Sequence, residues 1–187
     1  MNGRVARGLR KLHLKLVPVR RSGFVHELLG KGSPIDSFKN DPTLLVIEDA
    51  QDQALLIRVA ARRSLPGLDV RVAGDGREGL AYMAGTPPFQ DRRSHPLPDL
   101  ILLDLMMPDI DGFAVLEWIR DQGGAIRCPV VVLTSSEHAE HAQRCMDLGA
   151  SAFHRKPSDV ETLGAMVREI VETWMGSGAT AGLRPVG

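Results

Sequence analysis

The sequence predicts an α/β protein: an open, doubly wound parallel sheet, (βα)5, with helices on both faces. Three observations predict it. Short apolar runs, partly β-branched, alternate five times with segments of helical period. The strongest runs are unbroken by polar residues, as strands covered on both faces require. Right-handed crossovers between parallel strands then leave such a chain little else to form.

Taken in order, Leu44 to Ile47 is the first strand, and Asp52 to Ser64 is the helix after it, stopped by Pro66-Gly67. Val70 and Val72 mark a weaker second strand, followed by a helix over Gly76 to Ala84. The polar stretch between Ala84 and Leu100, with Pro87-Pro88, Arg92-Arg93, Pro96 and Pro98, is expected to be an exposed loop. Leu100 to Leu103 and Val130 to Leu133 are the third and fourth strands, with a helix over Gly112 to Asp121 between them. Glu137 to Leu148 is the fourth helix, ended by Gly149 as a left-handed cap. Ala152-Phe153 is a short last strand. The last helix opens on a capping box, Ser158 with Glu161, and Val160, Leu163, Val167, Ile170 and Trp174 recur on one of its faces.

A chain of 187 residues is one ordinary domain with extensions, at ~150 residues per domain. Its 43% hydrophobic and 25% charged residues exclude a disordered or fibrous chain. No apolar run approaches the ~20 residues of a membrane span, and the N-terminus lacks the apolar block of a secretory signal. Cys128 and Cys145 have neither metal spacing nor a disulfide framework; they read as small buried residues of a reducing cytosol, so a cytoplasmic location is expected.

The zero net charge conceals an asymmetry. Residues 1–40 hold nine bases against Glu27 and Asp36, which leaves +7 there and −7 in the rest of the chain. That sign change, together with Lys31-Gly32-Ser33-Pro34 and Asp41-Pro42, divides the chain into a basic extension (1–40), an acidic domain (41–175) and a tail rich in small residues (176–187) expected to be flexible. In the extension Val5, Leu9, Leu12 and Leu16 form an apolar stripe beside Arg4, Arg7, Arg10, Lys11 and Lys15 until Pro18 breaks the pattern. A poorly ordered or partly helical arm is expected.

In a doubly wound sheet, ligands bind beyond the carboxyl ends of the strands. There the first strand ends in Glu48-Asp49, the third in Asp104 and the fourth in Thr134, and Lys156-Pro157 follows the fifth. Taken singly, each residue has a commonplace explanation as a solvated turn, a helix cap or a surface charge. Their convergence on one edge from four loops points to chemistry. Clustered carboxylates raise one another's pKa unless a cation lies between them. Mg²⁺ suits the cluster because it needs only one or two carboxylates, with waters and phosphate oxygens completing its octahedron. A carboxylate left free can then attack phosphorus and become an aspartyl phosphate, with Lys156 and Thr134 holding the remaining phosphoryl oxygens.

The segments Leu45-Val46-Ile47-Glu48-Asp49, Leu102-Leu103-Asp104-Leu105-Met106-Met107-Pro108-Asp109-Ile110-Asp111-Gly112, Leu133-Thr134-Ser135 and Arg155-Lys156-Pro157 resemble the receiver domain of two-component response regulators, over roughly Pro42 to Trp174. The intervals of 30 residues from Asp104 to Thr134 and 22 from Thr134 to Lys156 match the usual receiver spacing. The resemblance implies a flavodoxin-like sheet of strand order 2-1-3-4-5. It further implies Asp104 as phosphoacceptor, and Asp49, Asp104 and the backbone carbonyl of Met106 as Mg²⁺ ligands, with Glu48 acting on the metal through water. Thr134 becomes the switch hydroxyl, Lys156 the phosphoryl-binding cation and Phe153 the aromatic switch residue, at a position where many receivers carry Tyr. At Met106 and Ser136, positions that modulate self-dephosphorylation in this family, neither an amide nor a carboxylate is present, which implies a long-lived phosphorylated state. The interval between Asp49 and Asp104, longer than in a minimal receiver, is similar to that of single-domain regulators paired with phytochrome-type sensors.

The function so implied is that of a single-domain response regulator and not of an enzyme. A sensor histidine kinase would supply its phosphoryl group, and a phosphorylation-dependent surface or a histidine phosphotransfer protein would receive the signal, with a homodimer compatible with either. The residues after Trp174 are too few for a helix-turn-helix, so DNA binding by such a module is not expected. A phosphatase of the haloacid dehalogenase type would need a second Asp where Met106 stands. The remaining alternative is a nucleic-acid- or membrane-associated receiver whose basic arm is the effector, drawn to phosphates by its +7 charge.

Overall fold

A computed structural model of the chain describes residues 41–176. The basic arm with its apolar stripe and the tail from 177 onward lie outside the described residues. Ten elements alternate: β1 (Thr43–Ile47), α1 (Gln51–Ser64), β2 (Asp69–Ala73), α2 (Gly76–Ala84), β3 (Leu100–Leu103), α3 (Gly112–Asp121), β4 (Val130–Thr134), α4 (Ala139–Asp147), β5 (Ala152–Arg155) and α5 (Val160–Met175). All strand pairs are parallel, in the order β2-β1-β3-β4-β5, as the sequence implied.

The unbroken apolar strands have a simple cause: the sheet is covered on both sides, and side chains alternate between them. Leu45, Ile47, Ile101, Leu103, Val130 and Val132 face one way and pack with Leu80 and Met83 of α2, Phe113 and Leu116 of α3 and Cys145 of α4. Leu44, Val46, Leu100, Leu102, Val131 and Leu133 face the other way, against Ile57 and Ala61 of α1 and Leu163, Val167 and Ile170 of α5.

Register carries this packing to the site. Ile47 pairs with Leu103, and Leu103 with Val132, so the residues that follow β1, β3 and β4 emerge side by side. The ladder continues past the strand ends: Glu48 N–H donates to Ala73 O at 3.0 Å, Asp104 N–H to Ile47 O at 3.0 Å and Lys156 N–H to Thr134 O at 2.7 Å. Site residues therefore sit on rigid strand ends.

Three expectations change. The stretch from Gly85 to Asp99 has no helix or strand, yet it is not simply exposed. Tyr82, Phe89 and His95 cluster with ring centroids 5.2 to 6.0 Å apart, and the Arg92 guanidinium donates to the carbonyls of Met83 at 2.7 Å, Tyr82 at 2.8 Å and His95 at 3.2 Å. Of the two carbonyls at the end of α2, Tyr82 O also accepts from the C-cap Gly85 N–H at 3.2 Å, and α2 has no basic residue in its last turn, so Arg92 supplies the missing cation from the loop. Gly85, at φ +69°, leaves the guanidinium room, since a Cβ there would meet it at 2.6 Å. At α5 the cap is Asp159, whose carboxylate accepts from Thr162 N–H at 2.8 Å, rather than Ser158. Cys145 is buried as expected, but Cys128 is only half-buried.

The β3–α3 loop is the tightest part of the frame. Gly112 N–H donates to Leu105 O at 3.1 Å, and a Cβ on Gly112 would lie 2.3 Å from the Asp104 carbonyl oxygen. Only glycine lets α3 start this close to Asp104. Gly112→Ala is therefore expected to lower stability in urea by about 2 kcal/mol, as overpacking does, and to shift the Asp104 amide in NMR spectra. An unchanged urea midpoint would show that the loop is not held by this contact.

Candidate functional site

Four strand ends converge at one edge of the sheet. Glu48 and Asp104 are almost fully buried, and so is the Lys156 side chain. The Lys156 ammonium bridges the two acids, with Nζ at 2.5 Å from Glu48 Oε2 and 2.8 Å from Asp104 Oδ2. Each carboxylate keeps its other oxygen for the backbone: Glu48 Oε1 accepts from Ala50 N–H at 3.3 Å and Asp104 Oδ1 from Met106 N–H at 3.2 Å. Asp49 is exposed at the mouth. Carboxylate oxygens of Glu48, Asp49 and Asp104 lie within 4.8 Å of one another.

Three carboxylates with one ammonium leave an excess of negative charge in a largely dry corner. Burial holds Glu48 above the usual carboxylate range; the Lys156 hydrogen bond and charge oppose that rise, and the neighbouring Asp104 adds to it. Hard carboxylate oxygens at this spacing, with an uncompensated charge, fit a divalent cation. They make no fit for a soft metal, since no cysteine or histidine joins the group.

Thr134 is fully buried at the end of β4, and its Oγ1 accepts from Ser136 N–H at 3.2 Å. Phe153 pairs with Val132 across β4 and β5 and is half-buried against the cluster that includes Phe113. Met106 is 55% exposed, so its thioether stands in solvent beside the carboxylates. The residues that the sequence reading placed at the strand ends thus do lie together at one edge of the sheet.

Two features escaped that reading. Ser136 does not point its hydroxyl freely at the site: Oγ is 2.7 Å from His141 Nδ1 on α4. Nothing in a spacing of five residues signals such a bond. The second is an exposed apolar patch, Leu55, Val59 and Val160, beside a groove of about 990 Å³ that Lys156 also lines. Leu55 and Val59 lie on the outer stripe of α1, and only the packing of α5 against α1 shows that Val160 joins them.

A family profile described as response regulator receiver domain matches residues 44–168. The chain is 34% identical over 130 residues to the DNA-binding dual master transcriptional regulator RpaA of Synechocystis, an alignment covering 70% of this chain and 49% of that protein. The chain thus spans about half the length of that relative. Among solved structures, the phosphorylated cyanobacterial phytochrome response regulator RcpA superimposes with a TM-score of 0.69 at 32% identity, over 74% of this chain and 96% of that one. The Mn²⁺-bound form of response regulator Rcp1 gives 0.67 at 27% identity, over 73% and 96%.

The raised pKa of Glu48 has a consequence for stability. A carboxyl whose folded pKa lies above its unfolded value stabilises the fold fully below the unfolded pKa, and that contribution is lost as pH rises through the folded one. Without divalent cation, the chain is therefore expected to lose stability as pH climbs from the ordinary glutamate range through the raised value, and Glu48→Gln to flatten that decline. The same variant should weaken divalent-cation affinity about 10- to 100-fold, since it takes one charge from the cluster of three carboxylates. Urea midpoints against pH and a cation titration check both; a decline of equal slope in Glu48→Gln would assign the pH dependence elsewhere.

Proposed function

The chain belongs to the receiver-domain family of response regulators, and from that premise we propose that it accepts a phosphoryl group from a histidine kinase on Asp104, with Mg²⁺ as the cation. The observation that carries this reading is the Lys156 ammonium held between Glu48 and Asp104. An attacking carboxylate is buried, oriented by Met106 N–H, and already faces the cation that receives the phosphoryl oxygens.

In the proposed step an Asp104 oxygen attacks the phosphorus of a phosphohistidine in line with the imidazole. The new O–P bond forms as the N–P bond breaks, and the bonding pair returns to the imidazole nitrogen. Lys156 moves from pairing two carboxylates to holding a phosphoryl oxygen, and Thr134 O–H donates to another. Asp49, Asp104 and the Met106 carbonyl would hold Mg²⁺, with Glu48 acting through water, and the ion would supply the remaining charge neutralisation. The chain acts as a phosphoacceptor switch and not on a diffusible substrate. Among the described residues no helix is long and apolar enough to cross a membrane, and a cytoplasmic location belongs to the same reading.

The patch of Leu55, Val59 and Val160 borders Asp104's neighbour Lys156, which favours it as the seat of the phosphodonor. A protein carrying a phosphohistidine must bring that side chain to a buried carboxylate, and an apolar contact alongside positions it.

Incubation with acetyl phosphate and Mg²⁺ is expected to add one hydroxylamine-labile phosphoryl mass, and Asp104→Asn to abolish it; a gain at the wild-type rate in that variant refutes the assignment. Val160→Asp should leave acetyl phosphate labelling unchanged but slow transfer from a cognate phosphohistidine protein about tenfold, the size of losing one apolar interface side chain. Equal transfer rates would move the docking face elsewhere.

A further inference from the structure

Two grooves of similar size lie on the described surface, and their charges differ in sign. The first holds Leu55, Val59 and Val160, three of the six large apolar side chains that stay exposed among the described residues. Its rim is acidic. Asp52 and Asp159 line it, with Glu161 exposed beside Val160 and Asp49 exposed at the neighbouring mouth. Both bases that line it are already paired, Lys156 with Glu48 and Asp104, and Arg155 with Glu137. The second groove, about 940 Å³, is lined by Arg62, Arg71, Arg92 and Arg93 against only Asp41 and Asp69. It repels cations.

The chain carries a segment that matches the first groove and not the second. In the sequence Val5, Leu9, Leu12 and Leu16 recur at helical spacing beside Arg4, Arg7, Arg10, Lys11 and Lys15, within a stretch of net +7 attached to a remainder of −7. Apolar residues rimmed by bases thus face apolar residues rimmed by acids. Asp41, the residue from which this arm departs, lines the arginine groove, so the nearest depression carries the arm's own sign of charge and turns it away. Residues 17–40 separate the stripe from Asp41. That length of chain extends to about 80 Å, against a radius of gyration of about 14 Å for a domain of this size. The α1–α5 groove is within reach.

We propose that the stripe of Val5, Leu9, Leu12 and Leu16 seats in the α1–α5 groove of its own chain and shields it. The seating stands on the two complementary surfaces, whereas the shielding rests on the reading of that groove as the seat of the phosphodonor. Because the arm is tethered, it meets the groove at an effective concentration of about 1 mM, so modest apolar and charge contacts hold it. A phosphodonor protein must displace it. Its apparent affinity falls in proportion to the fraction of molecules whose groove is open, while acetyl phosphate needs no docking face and reaches Asp104 either way.

The test uses the full chain and compares wild type with Leu9→Ser/Leu12→Ser, two positions outside residues 41–176. Methyl NMR signals of Leu55, Val59 and Val160 are expected to differ between the two, independently of protein concentration. Trypsin should cut the wild type after Arg7 to Lys15 about fivefold more slowly than Val59→Asp, whose arm is unaltered. With a phosphohistidine protein below saturation, Leu9→Ser/Leu12→Ser should accept the phosphoryl group about fivefold faster, as when about four in five wild-type molecules hold the arm in place. Acetyl phosphate labelling should be equal in both. Identical methyl signals, or equal cleavage of wild type and Val59→Asp, overturns the seating. Signals that move with protein concentration in both forms give the groove to a second copy, and unmoved methyls with binding of only the wild type to duplex DNA or anionic vesicles make the arm an outward effector; either result refutes the proposal. Shifted methyls with unchanged transfer overturn the shielding alone. Loss of acetyl phosphate labelling in the wild type, or its persistence in Asp104→Asn, overturns the phosphoacceptor reading instead, and the methyl and trypsin comparisons still decide the seating.

Discussion

Everything at the functional edge depends on one ammonium. Lys156 lies between Glu48 and Asp104, at 2.5 and 2.8 Å, in a corner where all three side chains are nearly dry. Burying one acid alone would force it to take up a proton, and burying two would be worse. With the ammonium between them both can remain carboxylates, at the cost of a third desolvated ion. Such a triad is poor at stabilising a fold and well suited to holding reactive groups in place. The sheet bears that cost elsewhere, through two apolar layers that share alternate residues of the same strands.

The fold was legible because its two periods are strong. Unbroken runs such as Leu44 to Ile47 and Leu100 to Leu103 can only be strands covered twice, and the structure keeps their bounds within a residue. β5 ran two residues past its apolar pair, because His154 and Arg155 are held by pairing with Leu133 and Thr134 and not by their own burial. The α5 cap moved from Ser158 to Asp159, since both are good caps and only the path of the chain chooses between them.

The acidic edge was legible for a different reason. Residues that follow strands are fixed by register, so Glu48, Asp104, Thr134 and Lys156 could be brought together before any contact was seen. Contacts made by side chains across helices obey no such rule. Ser136 with His141, Arg144 over Phe113 and the α1–α5 patch depend on how α4 and α5 rotate about their axes. The helical period tells which face is apolar, not which polar atom meets which.

Arg92 illustrates the same point with a wider consequence. Its guanidinium closes the last turn of α2 from nine residues downstream of Met83, and Tyr82 O–H answers from the helix by donating to Pro96 O at 2.9 Å. Loop and helix end are stitched in both directions, so they open as one unit. A segment that reads as a dispensable surface excursion is then the retaining strap of α2. Shortening it, grafting a tag into it or moving the chain termini there would unwind the helix whose Leu80 and Met83 lie under β1, the strand that delivers Glu48 and Asp49.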